Sequence, residues 1–99
     1  MKRKVWWSKT ALDDFKSQVT YIAQDNPQAA RKIAKRIQDA GDDLGEHAIG
    51  RLGRVTGTYE RVLSDLPYII VYSFSSSSTG EIVAILRIIH TSQEWPSGM

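Results

Sequence analysis

At 99 residues, with 41% apolar and 24% charged side chains, the chain has the size of one globular domain and enough hydrophobicity to fill a core. It has no cysteine, which excludes disulfides, thiolate metal sites and thiol nucleophiles, and no apolar run near the ~20 residues of a membrane-spanning helix. The net charge of +2 is uneven: residues 1–40 carry nine Lys or Arg against four acids, and residues 41–99 carry four against seven, so the first half suits an anionic partner as well as a solvated helix face.

The N-terminal M-K-R-K-V-W-W-S-K-T has the charge of a signal peptide but not its apolar segment, so a soluble, cytoplasmic protein is expected. Lys4 to Trp7 predicts a short strand, and Ser8 after it suits a helix N-cap. Apolar residues at 11, 12, 15, 19, 22 and 23 then form one helical stripe, with Asp13, Asp14, Lys16, Ser17, Gln18 and Gln24 off it. That helix should stop at Asp25. Asn26-Pro27 restarts the chain as a second helix, with asparagine as N-cap and proline at the first helical position, where its missing N–H costs nothing. Ala30, Ile33, Ala34, Ile37 and Leu44 mark the inner face of this helix; Arg31, Lys32, Lys35 and Arg36 lie off it. So tight a junction predicts an antiparallel hairpin, fraying after Asp43 where Gly41 and Gly45 weaken it.

Residues 46–57, with three glycines in G-R-L-G-R-V-T-G, read as a loop. Tyr59 to Leu63, Tyr68 to Phe74 and Glu81 to His90 read as strands, separated by a turn at Ser64-Asp65-Leu66-Pro67 and a polar hairpin loop from Ser75 to Gly80. The predicted order is β-α-α-β-β-β, an α+β fold with the helical hairpin on one face of a small, mainly antiparallel sheet and the other face free. One domain over residues 1–99 is expected.

Arg87, between Leu86 and Ile88 in a run that should be buried, is the most unusual residue. Its guanidinium must reach water, pair with an acid such as Glu60 on a neighbouring strand, or meet an anionic partner. Regular alternation puts Val83, Ile85, Arg87 and Ile89 on one face and Ile82, Ala84, Leu86, Ile88 and His90 on the other. Arg87 and His90 then cooperate only if a bulge intervenes. His90, beside Thr91 and Ser92, suits a local hydrogen bond better than acid–base work. Trp6 and Trp7 cannot both enter a core from one strand, so one is expected at a surface or interface. No phosphate loop, nucleophile elbow, Ser-His-Asp set or metal-ligand spacing appears, and no cofactor or metal is expected.

Five segments, in order and spacing, carry a resemblance from Val5 to Trp95: S-x-x-A-L-D-D-F, Y-I-A-x-D-N-P-x-A-A, G-R-V-T-G-T-Y-E-R-V-L, P-Y-I-I-V-Y and I-L-R-I-I-H-T-S-Q-E-W-P. Together they resemble the RelE/ParE superfamily of bacterial toxins, most closely its ParE branch. The resemblance implies the toxin of a type II toxin–antitoxin system, an inhibitor of DNA gyrase with no catalytic residues. It also implies a hetero-oligomer with a cognate, ParD-like antitoxin whose C-terminal segment folds onto the toxin.

The RelE branch implies instead an mRNA endonuclease acting on the ribosome, for which Arg61, Arg87 and His90 form a reduced set without the usual tyrosine. A third reading is a non-toxic binding module of the same fold. Candidate partner contacts are Trp6, Trp7, Arg31, Lys35, Tyr59, Arg61, Arg87 and Trp95. Tyr59 stands where ParE-like sequences often carry arginine after Gly-Thr.

Overall fold

The computed structural model describes residues 3–48 and 50–92, so Trp95 lies outside the described residues. In chain order the elements are β1 (Lys4–Trp7), α1 (Lys9–Asp25), α2 (Pro27–Asp43), β2 (Arg51–Leu52), β3 (Tyr59–Val62), β4 (Tyr68–Ser77) and β5 (Gly80–His90). They form a five-stranded sheet in the order β1-β5-β4-β3-β2, in which β1 runs parallel to β5 and all other pairs are antiparallel.

The helix ends form as their residue types dictate. Ser8 Oγ accepts the Ala11 amide (3.0 Å), satisfying one free N–H of the first turn, and donates to the Leu86 carbonyl (3.1 Å), tying the start of α1 to β5. Asn26 ends one helix and begins the next: its N–H donates to Ile22 O (2.9 Å) while its Oδ1 accepts from Ala29 N (3.1 Å). With a single residue between them, α1 and α2 fold back as a hairpin whose inner side carries the buried Ala11, Ala30, Ile37 and Ala40. Of these, Ala11, Ile37 and Ala40 pack with Leu44, Leu63, Tyr68, Ile70, Tyr72, Val83, Ile85 and Ile88 into the main core between hairpin and sheet.

Trp7 enters this core through a notch in α2. A Cβ on Gly41 would lie 2.4 Å from the Trp7 ring, so only glycine leaves room for the indole there. Trp7 is half-buried and Trp6, on the opposite face of β1, is 56% exposed, dividing the pair as strand alternation requires.

Three expectations change. The polar segment after Phe74 continues as strand, because β4 and β5 stay paired out to Ser77↔Gly80 around a two-residue turn at Ser78-Thr79. Ser77 Oγ closes that turn, donating to Gly80 O (2.9 Å) and accepting from Thr79 N (3.3 Å), and Gly80 supplies the positive φ of 129°. Within the expected loop, Arg51 and Leu52 form a short strand on the outer side of β3. Finally, the sheet face away from the helices is not bare, since Ile69, Val71 and Ile89 form a second buried cluster there.

The regular alternation expected along β5 fails at one point. Tyr72 pairs with Ile85 and Val71 with Arg87, leaving Leu86 as an extra residue in a β-bulge. Ile85 and Ile88, three apart, therefore both reach the main core, while Ile89 reaches the opposite cluster. The bulge lies just beyond the last residue pair between β1 and β5, Trp7↔Ile85. From there α1 finishes the edge of β5: Ser8 N donates to Ile85 O (2.9 Å), Ser8 Oγ to Leu86 O, and Ile88 N donates to Asp14 Oδ2 (3.0 Å).

Candidate functional site

Arg87 finds its acid on α1 rather than on a neighbouring strand. Its Nε donates to Asp14 Oδ2 (2.7 Å) and its Nη2 to Asp14 Oδ1 (3.0 Å), a two-pronged pair with both side chains about 15% exposed. Because Asp14 Oδ2 also takes the Ile88 amide, one carboxylate neutralises the guanidinium and replaces a missing strand at the bulge. The hydrogen bond to Asp14, outweighing burial, pushes the Arg87 pKa above its already high value, so the charge is permanent. Glu60 could not have served, because β4 lies between it and Arg87 in the row Glu60↔Val71↔Arg87.

Glu60, 1% exposed, holds the basic loop instead. Its Oε1 accepts from Arg51 Nε (3.3 Å) and Nη2 (3.2 Å), and its Oε2 from the Arg54 amide (2.8 Å). Gly50 packs so closely over β3 that a Cβ would lie 2.7 Å from both the Glu60 carbonyl and the Tyr72 hydroxyl. Sequence reading missed this carboxylate's own role; its available signal was an acid alternating with aromatic and apolar residues in a strand.

Arg61 closes the end of α2. Its Nη1 donates to the Ala40 carbonyl (2.8 Å), a helix-terminal acceptor with no partner in the helix, and to Asp43 Oδ2 (3.3 Å). Asp43 Oδ1 meets His47 Nδ1 at 3.0 Å. The hydrogen bond to His47 lowers the Asp43 pKa, helped by the charges of His47 and Arg61, and the same bond raises that of His47. Arg61, Arg51 and Arg36 line a cleft of about 440 Å³ between α2 and β3, beside the half-exposed Val62. Arg36 is itself gripped by Asp65 through Nε (2.7 Å) and Nη2 (3.1 Å).

The structure does not gather Arg61, Arg87 and His90 into one centre. Arg61 is fastened to the end of α2 and Arg87 to α1, each 16% exposed. His90 lies against Tyr68, ring centroids 5.3 Å apart, and its Nδ1 accepts the Ser92 amide (3.1 Å), with Ser92 Oγ 2.7 Å away. Tyr59, half-buried, stacks on Tyr72 (5.7 Å) and meets Phe74 edge-on (5.3 Å), so its ring is part of the sheet's aromatic row. Arg31 and Lys35 stand exposed on α2, and Lys35 pairs with Asp39 one turn on (3.1 Å).

With this geometry, comparison with known proteins is direct. The family described as "ParE toxin of type II toxin-antitoxin system, parDE" matches residues 5–95. The chain belongs to the ParE toxin family. This ParE-family chain is 40% identical over 96 residues to the protein Y4kP of Sinorhizobium fredii, covering 96% of this chain and 95% of that one. It is 34% identical over 91 residues to Toxin RelE2 of Caulobacter vibrioides, covering 91% and 97%. In structure the ParE-family fold matches a chain of the chromosomal ParDE toxin–antitoxin system from P. aeruginosa with a TM-score of 0.80 over 90% of this chain and 96% of that one, at 22% identity. The protein is thus a toxin of the type II toxin–antitoxin class with the RelE/ParE α+β fold.

Proposed function

We propose that this toxin acts on DNA gyrase rather than by cutting mRNA, and that a ParD-like antitoxin neutralises it in the cytoplasm. The observation that carries the reading is the dispersal of the alternative catalytic set. Cleaving RNA through its 2′-OH calls for a base, an acid and cations around one phosphate. Here both arginines of that set are held by carboxylates on different helices, and His90 Nδ1 is engaged with Ser92. A family member built this way works through its surface, as an inhibitor that binds its target.

The antitoxin reading is supported by the ParDE system to which the fold is similar and by the cationic α2 surface, which suits a partly acidic segment that orders on binding. The test uses purified toxin. It should block supercoiling or trap cleaved DNA in a gyrase assay, leave ribosome-bound mRNA intact, and lose its effect when the product of the neighbouring gene is added. Codon-phased mRNA cuts with gyrase untouched would transfer the assignment to the ribonuclease branch.

A further inference from the structure

A hollow of about 140 Å³ opens where α1, α2 and β1 meet, walled by Trp7, Leu12 and Phe15. The walls are firm. Trp7 is seated in the Gly41 notch, and its ring meets Phe15 edge-on at 6.0 Å. Leu12 is 43% exposed at the mouth, an apolar side chain the core leaves uncovered. The rim is polar: Asp42, whose Oδ1 accepts from Trp7 Nε1 (3.2 Å), and Gln38. Among the described residues, neither Asp42 Oδ2 nor the Gln38 amide has a bonding partner.

We infer that this hollow receives an arginine or lysine side chain from a protein partner, its stem lying on Trp7, Leu12 and Phe15 and its charged head on Asp42 and Gln38. The chemistry selects the occupant. A purely apolar side chain would fill the walls but strip water from Asp42 without replacing it, an unfavourable trade. An acidic side chain would meet like charge. A cation on an apolar stem satisfies both parts, since such side chains place methylenes on apolar surface and the head at a polar rim. Indole and phenyl rings add attraction for the same charge. By contrast, the three arginines of the cleft beside β3 each face a carboxylate of their own chain, so an arriving anion must displace one. The inference rests only on the toxin acting through a protein partner, and is independent of whether gyrase is the target.

The probe is an end-capped, glutamine-spaced alanine peptide whose single charge is one arginine, with one leucine four residues away, titrated into the intact toxin. Its control carries citrulline, which has the shape of arginine without the charge. The arginine peptide should shift the Trp7 indole N–H resonance saturably, and the citrulline peptide should bind about tenfold more weakly, the order of one charge-assisted hydrogen bond. Asp42→Asn keeps an acceptor for the Trp7 indole and removes the charge, so it should abolish the preference for arginine while melting normally. Leu12→Ser, at an exposed position, should weaken both peptides. Equal binding of the two peptides, arginine preference surviving in Asp42→Asn, or no Trp7 shift at millimolar peptide would each overturn the assignment. Loss of gyrase inhibition or of antitoxin binding plays no part in the readout.

Discussion

At the scale of single residues, Asp14 is the side chain on which most depends. It accepts both prongs of Arg87 and the Ile88 amide, so deleting either partner leaves a charge in a site only about 15% exposed. Arg87→Met keeps the unbranched stem and removes the cation; it should lower stability by about 1–3 kcal/mol, short of a fully buried pair because water still reaches the site. Urea denaturation measures this directly, and an unchanged midpoint would show the pair to be neutral. Toxicity per folded molecule should persist, which separates an internal strut from a target contact.

Asp43 and His47 give a pH signature. His47, raised above its usual 6.5, contributes stability that is complete below that value and lost as pH rises through its folded pKa. Asp43, lowered from 3.8, contributes stability that is complete above that value and lost as pH falls through its folded pKa. Their shared contribution is therefore greatest in mildly acidic buffer, between the two. His47→Gln should flatten the decline of the melting temperature on the alkaline side of pH 6.5. A parent protein whose melting temperature does not decline there would remove the pair from the account.

At the scale of elements, the fit of β1 to α2 turns on Gly41. Glycine inside a helix is unfavourable by about 1 kcal/mol relative to alanine, so Gly41→Ala would stabilise an isolated helix. In the protein the added methyl runs into the Trp7 ring, and overpacking of this kind typically costs about 1–3 kcal/mol. The net expectation is a lower melting temperature. Adding Trp7→Phe to Gly41→Ala should recover part of the loss; no recovery would place the strain elsewhere.

The sequence made both helices and their shared cap at Asn26 legible, because apolar spacing and capping residues are local signals. The strands β1, β3, β4 and β5 were legible for the same reason, as was the division of Trp6 from Trp7. Glycine spacing after the helices could not show β2, a two-residue strand that exists because buried Glu60 pulls Arg51 and the Arg54 amide toward β3. Neither could alternation along β5 reveal Asp14 as the partner of Arg87, since that contact joins residues 73 apart and depends on where β1 ends. The bulge at Leu86 was visible only as an arginine out of place. For the candidate site, residue types were readable but their assembly was not, and the three residues of the ribonuclease alternative proved to belong to three separate contacts.

At the scale of the molecule, the chain's first strand is paired with its last, and the helical hairpin rests on both through Ser8, Trp7 and Asp14. A chain beginning at Ser8 would lose the Trp7 anchor and uncover the edge of β5 from Ile82 to Ile85. It should melt without cooperativity and associate through that edge, as measured by circular dichroism and size-exclusion chromatography. A monomeric, sharply melting truncated protein would show β1 to be dispensable.

The same pairing governs when a newly made molecule becomes dangerous. Ser8 and the Leu86 carbonyl it bonds lie 78 residues apart, a span that translation at bacterial speeds covers in about 4–16 s. Until β5 is made, the nascent chain lacks the strand that joins β1 to β4 and carries the Leu86 carbonyl, so the fold cannot close until synthesis is nearly finished. A message broken before the codons of β5 should yield fragments that are harmless and readily degraded. Completed translation should then be what arms the toxin, each interrupted round of synthesis leaving only an open fold without its last strand.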